Sequence, residues 1–279
     1  MVSIVIPAHN EAAVIGANLR RLLAGTEPGE FDVIVVPNAC RDRTAEAAAE
    51  VPGVRVIETS VPGKVPALRL GDEACKTFPR VYLDADVELT AGSVRALVAA
   101  CARPGVLAAA PVPELDLAGV GRLVRRVHRV HDRMIAPSRA LAGVGVYVLT
   151  EAGHARVFPM PDVIADDGWV HTTFAPDERA VVAEARSVVR PARTVQAHLN
   201  RRVRVRRGNR ELAALDRAHA GGPGLGSLAG LVRRREVSPI DAAAYLSVLV
   251  LDRAVSRVRR DKAGWGSDLS TRAATAPAE

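Results

Sequence analysis

The chain has 279 residues, 48% of them hydrophobic and 3% aromatic, with three cysteines and a formal net charge of +7. That length accommodates one large α/β domain, or one domain with an appendage. No uncharged apolar run reaches the roughly 18 residues that a membrane span needs. Strand-like sequence already begins at residue 2, so no signal peptide is expected. Cys40, Cys75 and Cys101 are odd in number and lack Cys-x-x-Cys spacing, which argues for thiols in a reducing cytoplasm and against a disulfide framework or zinc site. Between Arg201 and Arg260 there are 14 Arg and Lys against 5 Asp and Glu, a balance of +9 that leaves the remainder at −2. A basic C-terminal region suits an anionic partner. Sparse aromatics and the lack of a nucleic-acid motif argue against specific nucleic-acid binding.

In chain order, Val2 to Pro7 reads as a strand stopped by proline. Asn10 is then expected to cap a helix whose apolar positions Val14, Ile15, Leu19, Leu22 and Leu23 keep helical spacing. Asp32 to Val36 is a second strand, Thr44 to Glu50 an alanine-rich helix, and Val54 to Glu58 a third strand. Pro62-Gly-Lys64 opens a helix to about Phe78. The alternation predicts an α/β fold, a parallel sheet with helices on both faces. Ligands in such sheets sit beyond the carboxyl ends of the strands. Three polar loops fall there: His9 to Glu11, Asn38 to Asp42, and Asp84 to Asp86.

The third of these loops ends an apolar run in two carboxylates one residue apart, with Thr90 as N-cap of a following helix. If the strand geometry persists, Asp84 and Asp86 share a face and can converge on one divalent cation, Mg2+ or Mn2+, whose usual companion is a phosphate. The alternative is a pair of solvated acids at a strand end. Farther on, Gly143-Val-Gly145 is a small-residue turn entering a strand, as expected where backbone approaches a substrate closely. Asp166 and Asp167 are adjacent acids after a short apolar segment, a pattern that also suits a helix N-terminus. His128 and His131 sit three apart on a basic helix, and two imidazoles are an incomplete metal site.

The series Val-Ser-Ile-Val-Ile-Pro-Ala-His-Asn-Glu, Val-Ile-Val-Val-Pro-Asn-Ala-Cys-Arg-Asp-Arg-Thr, Gly-Lys-Val-Pro-Ala-Leu and Tyr-Leu-Asp-Ala-Asp, in that order and spacing, resembles the family 2 glycosyltransferases of GT-A fold over about residues 2 to 210. The resemblance implies a mixed, mainly parallel central sheet flanked by helices, and an inverting, metal-dependent enzyme that takes a nucleoside-diphosphate sugar of UDP or GDP type. It implies that Pro7, His9, Asn10, Glu11 and Asn38 hold the nucleoside, with Lys64 near it or the diphosphate. Asp84 would meet the ribose or the metal, and Asp86 the metal. The family's Glu-Asp pair maps onto Asp166 and Asp167, with Asp167 as general base. Gly143 and Gly145 would line the acceptor or diphosphate side; Trp169, beside the proposed base, is read as lining the acceptor pocket or as packing in the core, and Arg204 as a contact to the diphosphate or an anionic acceptor or as part of a solvated basic helix face. The acceptor itself, a small molecule, a lipid or a glycan, stays open.

Two departures matter. Pro37-Asn38-Ala39-Cys40 replaces the family's Asp-Asp-Gly-Ser, an amide where a carboxylate usually meets the base. Arg201-Arg-Val-Arg204-Val205 keeps only the arginine of Gln-x-x-Arg-Trp, so one sugar is expected per acceptor and not a polymer. The rival readings are a sugar-phosphate nucleotidyltransferase and a non-catalytic nucleotide-sugar-binding protein on the same fold.

The expected organisation is a catalytic domain over 1–210, its nucleotide half at about 1–90 and its acceptor half at 91–210. A basic helical appendage over 211–260 and a disordered tail over 261–279 follow. Ala220 to Ser227 is a flexible breaker. Ala243, Leu246, Val250 and Ala254 form one stripe of a last helix, Pro239 to Arg260. Packing on the catalytic domain is the expectation for it. A peripheral contact with the inner face of the membrane is the alternative.

Overall fold

The structure is a computed structural model that describes residues 1–217 and 224–258. The tail expected to be disordered, and Ala220 to Pro223 of the breaker, lie outside the described residues.

The first 115 residues run β1 (Val2–Ala8), α1 (Ile15–Leu23), β2 (Phe31–Pro37), α2 (Thr44–Ala49), β3 (Val54–Val56), α3 (Lys64–Glu73), β4 (Arg80–Leu83), β5 (Glu88–Leu89), α4 (Ala91–Cys101) and β6 (Ala108–Leu115). Helix α5 (Arg122–Ile135) follows, then β7 (Val146–Leu149), α6 (Glu151–Val157), α7 (Asp166–Thr173) and β8 (Arg179–Val189). The remaining helices are α8 (Val195–Ala214), α9 (Leu225–Arg233) and α10 (Pro239–Val258). Contacts divide the chain into two units. Met1–Leu115 with Ala140–Val189 forms the first, and Asp116–Arg139 with the described residues from Arg190 onward forms the second. Helices α5 and α8 therefore group with α9 and α10, although the sequence places a boundary near residue 210.

The first unit is built on an eight-stranded sheet of order β3-β2-β1-β4-β7-β6-β8-β5. Strands β3, β2, β1 and β4 are parallel, β7 runs antiparallel to β4 and β6, and β8 is parallel to β6. Ile4, Val5, Ile6, Val33, Ile34, Val35 and Val36 are all buried, as strands covered on both faces must be. Ile15, Leu19 and Leu22 bring the apolar face of α1 onto this core. Gly71 lets α3 sit tightly on the sheet, since a Cβ there would lie 2.5 Å from Val5 Cγ1 and 3.0 Å from Val36 Cγ2. In the second unit, Val130 and Met134 of α5 pack with Leu228 and Leu231 of α9 and with Val237 and Ala242.

Several expectations change. Helix α1 begins at Ile15 with no side-chain cap, because Asn10 takes a left-handed φ of 55° and commits its Oδ1 to accepting from the Arg41 amide at 2.7 Å. Strand β3 and helix α3 end earlier than the apolar pattern implied, at Val56 and Glu73. Strand β4 stops at Leu83, and Asp84 to Val87 turn back on themselves through a Val87 N–H to Asp84 carbonyl bond of 3.1 Å. The two-residue alternation that would aim Asp84 and Asp86 along one strand face is therefore absent. Thr90 does cap α4, accepting from the Ser93 amide at 3.2 Å. On α10, Ala243, Leu246, Val250 and Ala254 are exposed, while Ala242, Val248 and Asp252 are buried. The helix packs through that opposite face on α5, α8 and α9 of its own unit.

Candidate active site

The carboxyl ends of β1, β2 and β4 gather the three polar loops at the point where the sheet order reverses, the usual place for a ligand in an open α/β sheet. Pro7 lies buried in β1 opposite Val36, one residue before the strand ends at Ala8. Beyond it, His9 Nδ1 lies 2.7 Å from the Asn38 carbonyl oxygen, and Asn10 Nδ2 lies 3.0 Å from His9 Nε2. The Glu11 amide donates to Thr44 Oγ1 at 2.8 Å, which stitches the first loop to α2. Glu11 itself is buried.

Asn38 is 2% exposed. Its Nδ2 donates to the Ala8 carbonyl at 2.8 Å and its Oδ1 accepts from the Gly63 amide at 3.2 Å. A carboxylate could accept from Gly63 but could not donate to Ala8, so the amide is explained by scaffolding. Both ends of the side chain that the resemblance assigns to the nucleoside are committed to backbone.

Lys64, at the start of α3, joins acids from two distant segments. Its Nζ lies 2.6 Å from Asp84 Oδ1 and 3.0 Å from Asp166 Oδ2. Burial opposes the charged amine, but Asp166, Asp84 and Asp167 outweigh it and raise its pKa. Asp166 is 3% exposed. Its carboxyl stands pushed up to about 6, by burial first, against the pull of Lys64 and with the help of Asp167 and Asp84. Asp166 and Asp167 form the first turn of α7, so they are helix N-terminal acids and members of this cluster at once. Asp167 Oδ2 accepts from the Gly143 amide at 2.6 Å and Oδ1 from the Gly168 amide at 2.8 Å.

Gly145 holds the acidic turn close. Its carbonyl accepts from the Asp84 amide at 2.9 Å, its φ is +69°, and a Cβ on it would meet Val87 Cγ2 at 2.5 Å. Asp86 sits half-buried in that turn. Trp169 donates from Nε1 to the Val157 carbonyl at 3.2 Å and is half-buried, tying α7 to α6. Arg204 lies on α8 of the second unit and is exposed. Among the described residues no group of three or more His, Cys, Asp or Glu side chains is placed to hold a metal ion, His128 and His131 included.

Three further residues shape the site without having drawn attention in the sequence. Asn18 is buried and donates from Nδ2 to the Ala85 carbonyl at 2.8 Å, pinning the acidic turn to α1. Its signal was a polar residue on the apolar stripe of α1. Arg69 donates from Nε to the Met160 carbonyl at 2.7 Å and pairs with Asp162 at 3.1 Å, fixing the approach to α7. Tyr147 lies buried on β7, stacked 4.9 Å from Tyr82. Burial, then Asp166, pushes its hydroxyl well above its ordinary value.

Among solved structures, a mannosyltransferase from Pyrobaculum calidifontis, in complex with GDP-Man and Mn2+, aligns with a TM-score of 0.59 and 20% identity over 94% of this chain and 81% of its own. Glucosyl-3-phosphoglycerate synthase from Mycobacterium tuberculosis, in complex with Mn2+, UDP-Glc and phosphoglyceric acid, aligns with a TM-score of 0.56 and 21% identity over 78% of this chain and 79% of its own. These likenesses establish the GT-A fold. No curated protein matches the chain. Residues 3–145, just over half of the sequence, match Glycosyl transferase family 2. The strand-end loops, the acidic turn and the glycines that hold it all fall within that match, and the chain belongs to glycosyl transferase family 2.

Proposed function

We propose that the chain transfers a single hexosyl unit from a UDP- or GDP-type sugar to an acceptor, with inversion at the anomeric carbon. The observation that carries this reading is the Lys64 bridge, which brings the acid after β4 and the acid pair opening α7 to the same strand-end loops. Both structural neighbours hold a nucleotide sugar with Mn2+, and this chain's acids fit such a cation. Asp84, Asp166 and Asp167 act on one ammonium, and Asp86 lies in the same turn as Asp84; all are oxygen donors suited to Mg2+ or Mn2+. Few protein ligands are needed where the donor's phosphates complete the shell. Asp86, with Asp84, would hold the ion, which when bound offsets charge developing on the departing diphosphate.

The chain's own groups have separate tasks. Lys64 stands at the first turn of α3 between Asp84 and Asp166, from where its ammonium would meet the donor's phosphates. Asp167 is the general base: a sugar hydroxyl is a poor nucleophile, and a carboxylate within hydrogen-bond reach takes its proton as it attacks. Its bonds from Gly143 and Gly168 orient it, and one of them must yield or be shared when an acceptor arrives. Asp166 keeps Lys64 in place from the buried side. His9, Asn10 and Glu11 line the nucleoside end, and Trp169 with Gly143 the acceptor end.

Calorimetric titration with UDP and with GDP, each with and without Mn2+, tests this on the native chain and on Asp86→Ala. Metal-dependent binding of one nucleotide, lost in the variant, is the expected result. Binding of neither by folded protein sinks the reading. Turnover with a nucleoside triphosphate and a sugar phosphate, with none from a nucleotide sugar, would transfer the site to a nucleotidyltransferase. Unimpaired cellular function of Asp167→Asn would favour a non-catalytic binding protein.

A further inference from the structure

The outward face of α10 is apolar where a solvated helix would be polar. Ile240 is 68% and Val250 64% exposed, and Ala243, Leu246, Leu251 and Ala254 continue the same face. From Ile240 to Ala254 this stripe is about 21 Å long at about 1.5 Å per residue. The inward face is already in use: Ala242 and Val248 are buried, and Asp252 is held by Arg206 at 2.5 and 2.7 Å and by Arg202 at 3.4 Å.

The charge around the stripe says what fits it. The described residues of the second unit carry 20 arginines against 7 acids and no lysine: 6 against 2 over 116–139, 9 against 2 over 190–217, and 5 against 3 over 224–258. Arg233 and Arg235 are exposed just ahead of the stripe, and Arg253 is exposed within its last turns. A second copy of so basic a face is repelled by its twin. A nucleic acid answers the charge and leaves the apolar stripe unused, with no exposed aromatic side chain among the described residues beside it to stack on a base. An anionic bilayer surface answers both, since basic side chains meet the headgroups while aliphatic ones enter the acyl boundary.

We infer that α10 rests in the plane of an anionic phospholipid surface, inserting Ile240, Leu246, Val250 and Leu251 between headgroups paired with Arg233, Arg235 and Arg253. The inference stands apart from the donor reading. It places the enzyme where acceptors carried by lipid are within reach, and no helix among the described residues is long and apolar enough to cross the membrane.

The test is co-sedimentation of the full chain with vesicles of phosphatidylcholine alone and of phosphatidylcholine with about one third phosphatidylglycerol. Binding only to the anionic vesicles, weakened by salt, is expected. The triple variant Ile240→Ser, Val250→Ser, Leu251→Ser should lower the partition coefficient at least about tenfold, with circular dichroism and melting unchanged. Arg233→Gln with Arg235→Gln should flatten the salt dependence. Nucleotide binding, measured on the same samples, separates a failure here from a failure of the donor site. No binding to anionic vesicles, equal binding by the triple variant, a dimer that the triple variant abolishes, or retention on nucleic acid that ignores the triple variant would each overturn the inference.

Discussion

Asp166→Asn should make the protein more stable at pH 8 while impairing sugar transfer. An acid whose folded pKa lies above its unfolded value binds its proton more tightly in the native state. Stability is then greatest below 3.8, declines as pH rises, and carries the full penalty above about 6. The gap between 3.8 and about 6 corresponds to about 3 kcal/mol. Asparagine imitates the protonated carboxyl, so the variant should gain about 3 kcal/mol at pH 8 and nothing near pH 4. At about 2–4 °C per kcal/mol for a domain of this size, that is roughly 6–12 °C in Tm. The attraction of Lys64 is already contained in that gap, because it is one of the influences on the carboxyl. Paired thermal melts of native and variant protein, in chelator and without nucleotide, read the difference across the range. An equal or lower Tm for the variant at pH 8, or a gain that persists unchanged at pH 4, would refute the reasoning.

In the second unit the slope has the opposite sign. Burial holds His131 and His198 down at about 4, aided by Arg202 and neighbouring imidazoles, so their contribution is intact above 6.5 and is lost as pH falls toward 4. His198→Leu should flatten that acid limb by about 3 kcal/mol in denaturant titrations at successive pH values. Asp252→Ala leaves Arg206 and Arg202 facing a buried gap; a loss of about 3 kcal/mol is expected from the urea midpoint of that unit. Gly145→Ala drives a Cβ to 2.5 Å from Val87 Cγ2 at a φ of +69°. It should displace the acidic turn and weaken nucleotide binding at least about tenfold, at about 1–3 kcal/mol of stability, as calorimetry and melting would record.

How far the sequence reaches depends on the range of the forces involved. Strands β1, β2 and β4 and the loops after them were legible because an apolar run ended by proline or acid is a local signal. The cap at Thr90 was local too. The end of β4 at Leu83 was not: the acidic turn is shaped by the Gly145 carbonyl and by Asn18, which lie 61 and 67 residues from their partners Asp84 and Ala85. Asn38 was noticed as a departure from the family pattern, yet its purpose came from Ala8 and Gly63, neither of them a sequence neighbour. The stripe on α10 was legible as a stripe. Its direction was not, because periodicity reports that a face exists and the buried Asp252 on the other side decides which way it turns.

The same contacts explain why the acids of this site can be both crowded and ordered. Asp84, Asp166 and Asp167, which act on one ammonium, repel one another, and left to themselves they would drift apart or take up protons. Lys64 holds Asp166, while the other acids of the site are positioned by groups that carry no net charge. The Asp84 amide is fixed by the Gly145 carbonyl, the turn containing Asp86 by Asn18, and the Asp167 carboxylate by the Gly143 and Gly168 amides. These neutral bonds set position without cancelling charge, and Lys64 cancels only part of it. The negative field that remains is what a divalent cation and a diphosphate would complete. An elevated Asp166 pKa is therefore the stability cost of keeping that field assembled, and it falls on the residue most deeply buried among its own kind.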